Sequence, residues 1–111
     1  MSSNVWIKSG TVRNLFAEPG KTTTGAGNLL YKDSPNTTFQ VVLTGTGALT
    51  ATVVIEFSND GTNVVTGATF SLSGTTTVTD GVTINSPWKY VRANVTAISG
   101  TSANVQVYVG V

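Results

Sequence analysis

The chain has no cysteine and no histidine. Disulfides, thiolate nucleophiles, and zinc or haem ligation through these residues are excluded. The lack of cysteine also fits a reducing compartment. Charge is scarce: 10% of residues are charged, against about 25% in typical soluble domains. The net charge of +1 is too small to draw a protein onto nucleic acid. Long apolar runs are missing as well. Val41-Val42-Leu43 and Val53-Val54-Ile55 fall far short of the roughly 20 residues a membrane helix needs. The opening segment, MSSNVWIKSG, lacks the basic-then-apolar order of a secretory signal. The expectation is a protein made in the cytoplasm, with no membrane and no nucleic acid among its partners.

Threonine fills the space left by charge, in runs at 22–24, 37–38 and 75–77. It is β-branched and favours strands. A surface of threonine without charge also lacks the repulsion that keeps monomers apart.

From Thr37 onward the apolar period is two. Phe39, Val41 and Leu43 alternate with polar residues, and Leu49, Ala51, Val53, Ile55 and Phe57 do the same. Near the carboxyl end Val91, Ala93, Val95 and Ala97 form one such set. Ala103, Val105, Val107 and Val109 form another, beyond a turn at Ser99-Gly100-Thr101-Ser102. This period puts each set on one face of a strand. Gly45-Thr46-Gly47 interrupts one run. Asn59-Asp60-Gly61 and Asp80-Gly81 read as hairpin turns, and Asp33-Ser34-Pro35-Asn36 as a further turn. Asn63–Thr66 and Ala68–Ser73 read as separate short strands. No segment carries a helical period. The pattern predicts an all-β, jelly-roll-like antiparallel sandwich of two sheets, with about seven to nine short strands.

Residues 1–35 read differently, as an extended arm or lid, with 36–111 as the sandwich core of a single domain. The arm holds Lys8, Arg13, Lys21 and Lys32 against Glu18. A basic segment ahead of an acidic body suits docking onto an acidic partner surface or a neighbouring copy. Trp6 is the arm's candidate apolar anchor. Trp88, Tyr90 and Arg92 share a two-residue period and belong to the types enriched at interface hot spots. A local stack of Arg92 on Trp88 or Tyr90 accounts for the same trio. Tyr108 is expected to point away from the core and to be free for a subunit contact.

Reaction chemistry finds no constellation. Proton transfer at neutral pH uses histidine, or a carboxylate or lysine with a shifted pKa. Asp33, Asp60 and Asp80 sit where turns need them, and Glu56 lies on a strand's polar face. Asn59, Asp60, Asn63 and Asp80 carry calcium-type oxygens, but a tight turn explains them equally. Gly25-Ala26-Gly27 lacks the following helix of a phosphate loop. No catalysis, cofactor, metal or small-molecule substrate is expected.

The order Ser58-Asn59-Asp60-Gly61, Leu72-Ser73-Gly74-Thr75-Thr76, Asp80-Gly81, Pro87-Trp88-Lys89-Tyr90-Val91-Arg92-Ala93-Asn94-Val95 and Gly100-Thr101 resembles small tailed-phage virion proteins. The likeness is greatest to capsid decoration, or staple, proteins, and it covers roughly residues 37–109. It implies a jelly-roll-like sandwich on the outer surface of an icosahedral head. There it would clamp neighbouring copies of the major capsid protein as a homodimer, after synthesis in the bacterial host cytoplasm. The Ser58-Asn59-Asp60-Gly61 piece is also similar to discoidin-type carbohydrate-binding domains, although Asn63-Val64-Val65 stands where those place an aromatic. A carbohydrate- or receptor-binding module of a phage tail or fibre is therefore the alternative, and a tail-tube or connector component a third reading.

Overall fold

Alternating burial runs the length of the two longest apolar patterns and makes them the spine of the protein. The computed structural model describes residues 6–7, 10–16 and 20–111. Eight strands occur among them: β1 (Trp6–Ile7), β2 (Val12–Asn14), β3 (Gly25–Ala26), β4 (Leu30–Lys32), β5 (Asn36–Ser58), β6 (Val65–Gly74), β7 (Thr77–Asn85) and β8 (Tyr90–Gly110). No helix occurs among the described residues.

β5 and β8 pair antiparallel along nearly their whole length, from Thr38↔Gly110 to Ser58↔Tyr90. A flat strand of 23 residues would measure about 75 Å. The longest dimension of the protein is only 39 Å. The two strands therefore fold over together. Phe39 and Phe57 lie near opposite ends of β5, yet their rings meet edge-on, with centroids 6.0 Å apart.

The fold-over lies where the β5–β8 register breaks, between Thr44 and Thr50 on one strand and between Ser99 and Asn104 on the other. Gly100 has φ +127° there, and a Cβ at this position would stand 2.9 Å from the Ala48 carbonyl oxygen. Ser102, at φ 55°, also takes a left-handed conformation. Such corners carry strands from one layer of a sandwich to the other. Gly45-Thr46-Gly47 and Ser99-Gly100-Thr101-Ser102, which read as a break and a turn, are thus bends within continuous strands.

One layer runs β2, the second half of β8, the first half of β5, then β7. The other runs β1, β4, the first half of β8, the second half of β5, then β6, with β3 also on β8. Every contact is antiparallel except β1 with β4. The inner faces supply Phe39, Val41, Leu43, Val53, Ile55, Val91, Val95, Val105, Val107 and Val109, all fully buried. The all-β sandwich expected from the two-residue period is present, with two of its strands long rather than short.

Two other expectations change. Asp80-Gly81 is not a turn but the middle of β7, opposite Val41 and Gln40. The glycine is needed for close approach, since a Cβ there would lie 2.9 Å from the Phe39 carbonyl oxygen. Asn63–Thr66 and Ala68–Ser73 merge into β6, where Gly67 is the extra residue of a bulge against Ile55 and Glu56.

The leading third is not a detached arm. Ile7, Leu15, Phe16 and Leu30 are buried in the same core as the long strands. β2, β3 and β4 pair directly with β8, so these short pieces close one side of the sandwich. Apolar residues at that side gain burial only by docking there.

Candidate partner-binding surface

On the outer face of the β6-side layer, cross-strand register sets Glu56 opposite Arg92. Arg92 Nε donates to Glu56 Oε1 at 2.6 Å, and Asn94 Nδ2 donates to Glu56 Oε2 at 3.3 Å. The pair is only partly exposed, which limits its screening by solvent. Beside it the Tyr31 and Tyr90 rings meet edge-on, with centroids 5.7 Å apart. Gly61 lies over Tyr90, because a Cβ there would sit 3.6 Å from the ring. Tyr31, Tyr90, Arg92, Glu56 and Asn94 form one continuous polar–aromatic patch beside the turn at residues 59–63.

Trp88 does not share this face. It precedes β8 and stacks on Phe57 with ring planes 9° apart and centroids at 6.3 Å. The proposed trio is thereby split: Tyr90 and Arg92 face outward, while Trp88 packs against the core. Arg92 has taken a carboxylate partner, and the cation over an aromatic ring is Lys32, 5.7 Å from the Phe57 centroid.

Lys32 must also be removed from the list of surface contacts, being only 2% exposed. Its Nζ donates to the Ser86 carbonyl at 2.8 Å and to the Ser34 carbonyl at 3.1 Å. It ties the turn after β4 to the segment that enters β8. Desolvation by burial, helped by the nearby charge of Lys89, lowers its pKa from 10.5 to about 8. Below the folded pKa the lysine is charged in both states, and its burial opposes folding. As pH rises from there toward 10.5, the unfolded chain holds the proton that the folded chain has lost, so stability rises. Unfolding free energy should therefore increase between about pH 7.5 and pH 9.5, by on the order of 1–2 kcal/mol. Urea titrations of wild type and Lys32→Met at both pH values check this. An equal pH response in the two proteins would show that Lys32 is not its source.

The remaining cations lie elsewhere. Arg13 is exposed on β2, opposite Val109. Lys21 is half-buried, and its backbone pairs both ways with Val105. Both thus lie along one margin of the β7-side layer, next to the second half of β8. Asp80 stands on the opposite margin, in β7. Tyr108 points outward as expected, donating to Gln106 Oε1 at 2.9 Å. Lys8 and the Trp6 side chain lie outside the described residues. The candidates therefore form two groups on different layers, Tyr90 and Arg92 on one, Arg13, Lys21 and Tyr108 on the other.

Glu56, Asn94 and Tyr31 are the residues that sequence reasoning missed. Their strands are far apart in the chain, and no local pattern reveals cross-strand register. The Asn59-Asp60-Gly61 turn is committed to itself. Asp60 Oδ1 accepts from Ser58 Oγ, Thr62 N and Asn63 N, and Oδ2 accepts from Asn63 Nδ2. The Asn63 amide, then the Thr62 and Asn63 backbone amides and the Ser58 hydroxyl, hold this carboxyl well below the usual range. Among the described residues no three His, Cys, Asp or Glu side chains gather into a potential metal site. No family model matches the chain, and no curated protein matches it.

Proposed function

We propose that this protein is a structural virion component that decorates an icosahedral phage head and stabilises it by binding neighbouring major capsid subunits. What supports the reading is a rigid sandwich whose outward positions are mostly neutral hydroxyl side chains, with the few charges either paired or set along margins. Glu56 and Asp60 are engaged in pairs and turns. Arg13 and Lys21 flank one margin, where they can meet acidic groups on a partner. A binder that recognises only the assembled shell stabilises it by mass action. The resemblance to decoration proteins supplies the partner.

Particles lacking this protein are expected to assemble but to leak DNA at a lower temperature than complete ones. Adding back the purified chain should restore heat resistance, and Arg13→Glu with Lys21→Glu should restore less. Equal heat survival with and without the protein would overturn the proposal. Binding to host surface glycans instead of heads would favour the carbohydrate-module alternative.

A further inference from the structure

The sandwich has four margins, and three carry features that oppose strand addition. β1 and β3 have two residues each, and β2 has three, one of them Arg13. β7 carries Asp80 in mid-strand, and the Gly81 N–H is taken by the Asp80 carboxylate at 2.8 Å. Short edges and edge charges are how proteins keep sheets from joining. β6 has neither. Its ten residues, VTGATFSLSG, include no charge and no proline. Among the described residues it pairs with β5 alone, so its other margin leaves main-chain groups unpaired. Val65 at its head is 48% exposed, one of the two large apolar side chains so exposed among the described residues.

We infer that β6 is an association edge whose occupant is the β6 of a second copy, paired antiparallel about a two-fold axis to continue the sheet across both molecules. The edge offers no charge to a charged strand; it fits a neutral strand bearing hydroxyls, and β6 is itself such a strand. With the axis at Phe70, Thr69 faces Ser71 of the second copy and Ala68 faces Leu72. Hydroxyl then meets hydroxyl on the outer face and apolar meets apolar on the inner, the pairings that stabilise antiparallel sheets. An isologous contact of this kind closes after two copies and does not propagate into fibres. The argument does not use the capsid reading.

Sedimentation velocity of the full chain over a wide concentration range tests it. Wild type should be dimeric. Thr69→Lys and Ser71→Lys, both at exposed positions, place like charges near the axis and should weaken self-association by about tenfold or more. Thr79→Lys on β7 should leave the dimer intact. Hydrogen exchange gives a readout without any variant: β6 amides should exchange more slowly as concentration rises. A monomeric wild type at all concentrations, or a dimer unaffected by both lysines, overturns the inference. Neither result bears on capsid binding, which the heat-survival experiment decides separately.

Discussion

Val107→Asp is expected to leave the protein unfolded. Val107 is fully buried, opposite Val41 in the β5–β8 ladder. Losing its burial costs about 1.5–3 kcal/mol, and domain stability totals only about 5–15 kcal/mol. The new carboxylate adds a larger penalty, because an unpaired charge in an apolar layer must either be desolvated or take up a proton. The nearest alternating position on the other face is Tyr108, which is half-exposed. Tyr108→Ala should keep a cooperative melt near the wild-type midpoint. Circular dichroism melts of the two variants decide the point. A folded Val107→Asp protein melting like wild type would mean that the inward face of β8 is assigned to the wrong residues.

Phe57→Ala should be the most damaging truncation in the core. Phe57 is 1% exposed, and it is where the folded-over ends of the spine meet. Its ring contacts Phe39 from the far end of β5, stacks on Trp88 and lies under the Lys32 ammonium. Gly67 makes room for it, since a Cβ there would overlap the ring. Phenylalanine-to-alanine changes in cores cost about 3–5 kcal/mol, enough to lower the melting midpoint by more than about 10 °C in a domain of this size. Trp88 would lose its stacking partner, so its fluorescence should shift to the red before unfolding. A midpoint within about 3 °C of wild type, with unchanged emission, would show that the two halves of β5 do not depend on this contact.

Much of the architecture was legible in the chain because local rules carry it. A period of two marks which side chains face inward, and that period holds at Phe39, Val41 and Leu43 and again from Val91 to Val95 and from Val105 to Val109. The turn at residues 59–63 was legible because its hydrogen bonds come from its own side chains. Asp80-Gly81 has the same letters, but β7 pairs through it, because the backbone of Phe39 lies against the glycine. A turn motif states what the chain can do locally, and a neighbouring strand can override it.

The candidate surface was less legible for the same reason. Lys32 and Trp88 are residue types that favour surfaces and interfaces, yet both serve the interior, one through two backbone carbonyls and one through Phe57. Arg92 was visible as a partner-seeking cation, but Glu56 became its partner only through register. The sequence by itself determined the strand class, the inward residues and the lack of a thiol or imidazole reaction centre. These follow from side-chain chemistry and a two-residue repeat. Tertiary structure alone decided that β5 and β8 bend through both layers, that the leading third seals the core, and that β6 is left as the uncharged edge. Those outcomes depend on which distant segments pair, and pairing is set by the total apolar area that closure buries rather than by any one stretch of chain.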